Sequence, residues 1–218
     1  MRWTDVPIHV IDFEGHKAYG IVEYGVVVLR GGSIADTHTR LCAPRGGIPR
    51  EDTRVHGVTA ESASAFPGFE EEWERFTRWR AEGPFCAHHA VFENALLKHQ
   101  WAFPPHSPDF GCAGEPAAEW GPWLDTRRLA EVFFPGRERY RLGDVVAFLG
   151  LEDSLEGVAR THCPPRRTRY HCALYDALAS ALILLRLLAY PGYERATLPW
   201  LFDVMSGNAG GRQGELPL

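Results

Sequence analysis

The chain has 218 residues and a net charge of −5, with 45 % apolar and 23 % charged residues. This length suits one domain with additions and leaves a sizeable core. The acidic balance excludes a broadly basic nucleic-acid coat protein, although it is compatible with a local basic patch. Five cysteines without a C-x-x-C pair indicate a reducing compartment rather than a disulfide scaffold, so we expect a cytoplasmic protein.

The apolar segments indicate neither secretion nor membrane insertion. The N-terminal stretch MRWTDVPIHVIDFEG has no long apolar run of the kind that a secretory signal needs. The most apolar stretch, ALASALILLRLLAY, is interrupted by Arg186 and is short for a membrane span. We therefore expect no membrane association.

The first part of the chain reads as a meander of strands. Residues 8–13 form the first predicted strand, residues 20–29 the second and residues 33–42 the third, with a glycine turn at 31–32. After a loop, apolar residues at helical spacing predict a helix over residues 68–82.

The rest of the chain alternates between strands and helices, which together with the meander predicts an α/β fold with a mixed sheet. The predicted segments are a strand at 84–89, a helix at 91–101, a long loop at 104–122, a strand end at 123–126 with two helices after it, mostly loop at 154–170, and a helix at 172–189. Residues 1–190 are predicted to form the main domain. Residues 191–218 are predicted to be a C-terminal extension, partly mobile because it is rich in Gly and Pro.

Two acids, Asp12 and Glu14, lie at the end of the first strand. Side chains alternate along a strand, so both carboxylates point to the same face. Two carboxylates this close to each other repel, so each raises the pKa of the other unless a cation such as Mg²⁺ or Mn²⁺ lies between them. On this stretch alone, two solvated acids beyond the strand end are the favoured interpretation.

Further acids lie at the starts of two predicted helices. Asp176 lies inside a strongly apolar helix, in its N-terminal part, where an acid is costly to bury unless it is paired or binds a metal. Glu93 lies in the first turn of its helix, and for both acids the helix dipole is an alternative explanation. His171 is five residues before Asp176, so it cannot share its helix face and is predicted to lie on the preceding loop.

Four carboxylates and one histidine at element ends suit two-metal phosphodiester hydrolysis. In that chemistry, two cations about 4 Å apart polarise the phosphate and stabilise the leaving oxygen. A neutral histidine can take the proton of the attacking water.

The order of these motifs resembles the DEDDh 3′–5′ exonuclease family, which includes the proofreading subunit of bacterial DNA polymerase III, RNase T and oligoribonuclease. The resemblance covers about residues 8–189 and is carried by IDFEG, IVEYGVV, VHGVT, AHHAVFENALL, WLDTRRLAEVFFPG…YRLGDVVAFLGL and HCALYDA. It implies a ribonuclease-H-like fold and His171 as the general base. It also implies two Mg²⁺ or Mn²⁺ ions held by Asp12, Glu14, Glu93 and Asp176.

The resemblance also implies contacts with the terminal nucleotide, made partly by backbone groups, at Phe13, Gly15, His16, His56 and His89. The family often has Asn at position 89, and His56 has the alternative role of capping a turn. From the residues themselves, Arg167 and Arg169 either hold substrate phosphates or form a solvated basic loop. Asp125 is predicted to cap the helix that follows it, and Glu23 to make a sheet or loop contact.

The predicted function is removal of nucleotides from the 3′ end of single-stranded or frayed DNA, with RNA as an open alternative, releasing nucleoside 5′-monophosphates. The family's second motif usually ends in Asp, but position 93 is Glu. The alternative is therefore a catalytically impaired nucleic-acid-binding or polymerase-accessory module. A homodimer or a polymerase partner is expected by analogy only.

Overall fold

The computed structural model describes residues 1–112, 116–193 and 195–207. Its centre is a five-stranded sheet in the order β3-β2-β1-β4-β5. The strands are β1 (Ile8–His16), β2 (Gly20–Arg30), β3 (Ser33–Leu41), β4 (Phe85–Ala87) and β5 (Trp123–Asp125). The first three strands are antiparallel, and β4 and β5 continue the sheet in parallel from β1. The predicted mixed sheet is confirmed.

Local sequence accounts for the meander. In β2 every residue except the last is buried, as expected of a central strand rich in Val and Ile. Gly31 and Gly32 both have positive φ, 57° and 84°, which side-chain-bearing residues adopt rarely. Two successive residues of this kind favour the tight hairpin turn that joins β2 to β3.

Helices cover both faces of the sheet. They are α1 (Arg50–His56), α2 (Ala60–Ala63), α3 (Trp73–Glu82), α4 (Ala90–Gln100), α5 (Thr126–Phe133), α6 (Leu142–Phe148), α7 (Glu152–His162), α8 (Ala173–Leu188) and α9 (Leu198–Ser206). On one face α8 packs with Val10, Val27 and Leu29 in an aliphatic core. On the other face lies an aromatic core that includes Phe13 and Phe76.

Two predicted elements differ from the structure. The helix predicted over 68–82 starts as a 3₁₀ helix at Phe69–Glu72 before α3 begins. Residues 154–170 were predicted to be mostly loop, but α7 occupies most of that segment. Its buried Leu155 and Ala159 are four residues apart, so a one-sided helix packs on the core there.

The C-terminal part of the chain returns to the core as far as the structure describes it. Leu198, Leu201 and Val204 of α9 are buried in the aliphatic core that contains α8. The backbone N–H of Trp3 donates to the carbonyl of Ala196 at 3.1 Å. The domain boundary at residue 190 stays a prediction, and the glycine-rich tail at 208–218 lies outside the described residues. Within the described ranges, no helix is long and apolar enough to span a membrane.

The start of α8 contacts the sheet at Gly25, which lies opposite Asp12 in the β1–β2 pairing. A Cβ atom at position 25 would lie 2.3 Å from the carbonyl carbon of Ala173 and from the backbone nitrogen of Leu174. Only glycine therefore allows α8 to approach β2 this closely. The contact sets the height of the first turn of α8 above the two acids of β1.

Gly25→Ala is expected to lower the free energy of unfolding by about 1–3 kcal/mol, the usual cost of overpacking. In a chain of this size each kcal/mol lowers Tm by about 2–4 °C. The matched control is Gly157→Ala in α7, where an added Cβ meets no atom within 4 Å. That control is expected to stabilise the helix by about 0.5–1 kcal/mol. Urea unfolding of both variants tests the pair, and equal shifts would contradict the close approach of α8.

Candidate active site

Asp12 and Glu14 form the base of the site on β1, and both side chains are half-buried. Asp12 lies opposite Gly25, and Glu14 lies opposite Glu23 of β2. The pairing register shifts directly after Glu14, at a bulge that includes Gly15. Bulges bend a strand and redirect its side chains, so the acidic pair lies where the regular ladder ends.

Glu93 is joined to the same strand from α4. Its side chain is buried, and its Oε2 accepts the backbone N–H of Phe13 at 3.0 Å. The glutamate carboxylate therefore lies against β1 between Asp12 and Glu14. Glutamate is one methylene longer than aspartate, and its carboxylate reaches this backbone N–H.

Asp125 fixes the start of α4 as well as the start of α5. Its carboxylate accepts the backbone N–H groups of His89 at 3.0 Å and Ala90 at 2.9 Å. It also accepts the N–H groups of Arg127 and Arg128, as an N-cap of α5. The predicted helix cap is confirmed, and this one carboxylate caps two helices. Glu93 is thereby carried on a helix whose first turn is anchored to β5.

Asp176 and His171 reach the site from α8 and from the loop before it. The Oδ2 atom of Asp176 accepts the backbone N–H of His171 at 2.9 Å. The Oδ1 atom is buried and has no hydrogen-bond partner among the described residues. His171 is exposed on the loop before α8, with left-handed backbone at φ 62°. Its predicted place on that loop is confirmed.

The donor set fits a divalent cation. One ligand atom each of Glu14, His171 and Asp176 can be chosen so that all lie within 4.8 Å of one another. Carboxylate oxygens are the donors that Mg²⁺ and Mn²⁺ prefer. The Oδ1 atom of Asp176, which has no hydrogen-bond partner among the described residues, is a carboxylate oxygen available as a metal ligand. These residues could therefore hold a metal ion.

The acids raise each other's pKa. Burial is the first cause for all four, and the carboxylates around them add to it. The pKa of Asp12 is raised well above its usual value by burial and by Glu93, Asp176 and Glu14. Burial and neighbouring acids raise the pKa of Glu14 to about 8, that of Glu93 to about 8 and that of Asp176 to about 7. A cation bound among them would relieve this repulsion.

The raised pKa values predict that the metal-free protein becomes less stable as the pH rises from about 4 to about 8. At acidic pH the carboxylates are protonated in both the folded and the unfolded chain, so they impose no penalty. Between these limits the unfolded chain releases protons that the folded chain retains, and stability therefore falls with pH. The loss continues past about pH 8, where Glu14 and Glu93 ionise in the folded chain.

Urea unfolding in EDTA at about pH 5, 7 and 9 measures this loss. The same series with Mg²⁺ is the control, because a cation that binds only the folded state restores stability at high pH. A metal-free protein that becomes more stable from pH 5 to 9 would contradict the raised pKa values.

Glu23 was missed as a site residue. It is only 3 % exposed, and its Oε1 accepts the Nε–H of Arg167 at 3.0 Å, with a second, shorter bond between Oε2 and the guanidinium. The signal that could have found it is the hairpin register, because Glu23 faces Glu14 directly across the β1–β2 pair. The predicted sheet or loop contact of Glu23 is confirmed, and its ion pair with Arg167 is the part that the sequence did not indicate.

The two predicted phosphate-binding arginines have different surroundings. The guanidinium of Arg167 is held by Glu23 and by the carbonyl of His56 at 2.7 Å, so this side chain is tied to the protein. The prediction that Arg167 holds substrate phosphate stays a prediction, and these hydrogen bonds give the side chain a structural role beside it. Arg169 is exposed and donates to the carbonyls of Val55 and Tyr170 at 3.3 and 3.4 Å.

The predicted nucleotide contacts separate into buried and accessible groups. The Phe13 side chain is buried in the aromatic core against Phe69 and Phe76, and its backbone N–H binds Glu93. The predicted nucleotide contact at Phe13 stays a prediction, and the buried ring leaves the backbone as the part of the residue that could make it. His56 is buried, and its Nδ1 accepts the N–H of Val58 at 3.0 Å, which is the turn-capping alternative.

The other predicted contacts surround the acids. Gly15 follows Glu14 in the bulge, and His16 is exposed with its Nδ1 accepting from Ala18 at 3.1 Å. His89 stands before α4 with left-handed backbone at φ 74°, its ring 4.5 Å from that of Phe92. Their contacts with a nucleotide stay predictions.

The sheet order and the clustered acids have the arrangement of a ribonuclease-H-like fold. The mixed sheet carries Asp12 and Glu14 on its first strand, while Glu93 and Asp176 meet them from two helices. The sequence motifs and the structure therefore resemble the same class of protein.

Comparison with known proteins agrees with this class, although no family model matches the sequence. The DNA polymerase III PolC-type of Thermotoga maritima is 28 % identical over 186 residues, which are 84 % of this chain and 12 % of that polymerase. The chain spans about a tenth of the length of the PolC-type relatives it matches.

Two solved structures share the fold. Exonuclease X in complex with 5′-overhanging duplex DNA superimposes with a TM-score of 0.66 at 22 % identity, over 91 % of this chain and 99 % of that one. The nuclease domain of 3′hExo, a DEDDh family member bound to rAMP, gives a TM-score of 0.61 at 17 % identity, over 88 % and 95 % of the two chains. The resemblance to DEDDh exonucleases and the ribonuclease-H-like fold are confirmed.

Proposed function

We propose that this chain is a metal-dependent 3′–5′ exonuclease that releases nucleoside 5′-monophosphates from single-stranded or frayed ends. The observation that carries the proposal is the convergence of four acids with His171, a residue that remains exposed to a substrate. The acids come from segments far apart in the chain: Phe13 and Glu93, which are hydrogen bonded, are 80 residues apart. A purely structural cluster would pair such buried acids with cations.

The four carboxylates of Asp12, Glu14, Glu93 and Asp176 are proposed to hold two Mg²⁺ or Mn²⁺ ions. Divalent cations bound there would polarise the scissile phosphate and favour formation of hydroxide. The chain's own contribution is to hold the acids in place, through the Phe13–Glu93 and His171–Asp176 hydrogen bonds.

His171 is proposed to accept the proton of the attacking water. A neutral imidazole is suited to this role, and its exposed ring is within reach of a bound strand. The backbone hydrogen bond to Asp176 holds the histidine beside the acids without using the ring nitrogens. The exposed residues Arg169 and His16, and the half-buried His89 before α4, are proposed to contact the strand.

The proposed substrate is a DNA or RNA 3′ end. Exonuclease X is described with 5′-overhanging duplex DNA and 3′hExo with rAMP, which supports both nucleic acids. The similarity to DNA polymerase III PolC-type proteins supports a polymerase as partner, and a cytoplasmic location stays a prediction. A homodimer stays a prediction.

A 5′-labelled single-stranded DNA and the matching RNA test the proposal, each with Mg²⁺, Mn²⁺ or EDTA. The control variant is His171→Asn, because asparagine tolerates left-handed backbone better than alanine does. We expect a ladder that shortens by one nucleotide from the 3′ end and disappears with EDTA and with His171→Asn. Intact oligonucleotides with either metal, together with a gel shift, would overturn the proposal in favour of a binding module.

Glu93→Asp separates the enzyme from the impaired module. The shorter side chain is expected to withdraw the carboxylate from the Phe13 N–H and to lower kcat about 10–100-fold, as changes next to a metal site commonly do. The impaired module predicts the opposite, a gain of activity from nothing. Glu70→Asp, an exposed acid in the 3₁₀ helix, is the control.

A further inference from the structure

The carboxylate of Glu23 contacts both ends of the loop that carries His171. At one end it forms a two-pronged ion pair with Arg167. At the other end its Oε2 accepts the backbone N–H of Ala173, the first residue of α8, at 3.1 Å. That N–H is one of the helix-start donors without a partner inside its own helix. The segment between the two contacts holds His171.

Arg167 extends this link to a further element. Its Nη1 atom donates to the carbonyl of His56, the last residue of α1, at 2.7 Å. The guanidinium therefore joins β2, α1 and the histidine loop through fixed hydrogen bonds. A planar, two-pronged donor of this kind holds geometry more tightly than a lysine ammonium would.

The ion pair between Glu23 and Arg167 is largely buried, so its loss is costly. The side chains of Arg167 and Glu23 are 19 % and 4 % exposed, so removal of either charge leaves the other poorly solvated. The Glu23 carboxylate also lies close enough to Glu14, Asp12 and Asp176 to raise their pKa values. Arg167 is thus the cation that balances an acid at the edge of the site.

We propose that Glu23 and Arg167 are positioning residues that hold the His171 loop and the start of α8 in the geometry needed for catalysis. This proposal rests on the proposed exonuclease function. Neither residue needs to touch the substrate: Glu23 acts through Arg167 and Ala173, and both act through His171 and Asp176.

The test uses Glu23→Gln and Arg167→Lys, because each keeps most of the side-chain volume. The matched control is Glu72→Gln, which weakens another buried ion pair, with Arg40, whose side chains are 9 % and 19 % exposed. Glu72 belongs to the 3₁₀ helix next to the aromatic core, away from the histidine loop. All three variants are expected to lose stability, so stability alone does not decide the proposal.

The kinetic result decides it. For both variants at the pair we expect kcat to fall about 10–100-fold with KM for the oligonucleotide unchanged, whereas Glu72→Gln keeps wild-type kcat. In a His171→Asn background the same substitutions are expected to cost little more, because residues that act as a unit are not additive. A higher KM at unchanged kcat with weaker salt dependence would instead make Arg167 a phosphate contact and overturn the proposal.

Hydrogen–deuterium exchange supplies a readout that does not depend on activity. Glu23→Gln is expected to speed amide exchange in peptides covering 164–173, and Glu72→Gln is expected to leave those peptides unchanged. Exchange like that of the wild type would overturn the positioning role. If the wild type cleaves no nucleic acid, the exonuclease proposal fails, while the exchange result still decides whether the pair holds the loop.

Discussion

Asp12→Asn is expected to abolish nuclease activity and at the same time to stabilise the metal-free protein. Asp12 lies among Glu93, Asp176 and Glu14, and its pKa is raised well above the usual value by burial and by those acids. The amide keeps the shape of the side chain but cannot ionise. Removal of one like charge therefore relieves repulsion in the folded chain at neutral and alkaline pH.

The expected activity loss is at least about 10³-fold, since a lost metal ligand removes charge stabilisation worth several kcal/mol. Thermal unfolding in EDTA at about pH 8 is expected to show a higher Tm for the variant, with each kcal/mol worth about 2–4 °C. The gain in Tm on adding Mg²⁺ should shrink, because the variant binds the cation less well.

Asp153→Asn on the exposed first turn of α7 is the control for the loss of a charge as such. It is expected to keep activity and the Mg²⁺-dependent gain in Tm. A lower metal-free Tm for Asp12→Asn than for the wild type would show that Asp12 is stabilised in the folded chain, which contradicts the clustered-acid interpretation.

His171→Asn is expected to lower kcat by about 10²–10⁴-fold, the usual contribution of a general base. The ring of His171 also lies close enough to Glu14 and Asp176 to be a metal ligand, so the two roles need separate readouts. A general base predicts that Mg²⁺ affinity, measured by calorimetric titration, is nearly unchanged. A ligand predicts that Mg²⁺ affinity falls together with kcat.

The control is His99→Asn, an exposed histidine in the last turn of α4. It should leave both kcat and Mg²⁺ affinity unchanged. Loss of Mg²⁺ binding in His171→Asn would assign the imidazole to the metal, and wild-type kcat in that variant would remove it from the mechanism.

The sequence was most informative where one short segment contains a complete local signal. The meander, the helix α8 and the acids at element ends could all be predicted, because strand alternation, glycine turns and apolar runs are local properties. The loop position of His171 also followed from local geometry, because five residues along a helix do not return to the same face.

The errors concern relations between distant segments. A single strand does not show which residue lies across from Glu14, so the role of Glu23 and its bond to Arg167, 144 residues away, remained hidden. The core position of the Phe13 side chain likewise depends on a residue far along the chain, Phe69. The helix α7 is different, since the spacing of its buried Leu155 and Ala159 is a local helical signal in the sequence.

The distance along the chain between β2 and α8 has a consequence for synthesis. Glu23 and Ala173 are 150 residues apart, so at about 5–20 residues per second α8 leaves the ribosome about 8–30 s after β2. During that interval the apolar face formed by Val10, Val27 and Leu29 is not covered by α8. The nascent chain thus carries its first two acids for many seconds before it has the histidine and the fourth acid of the proposed nuclease.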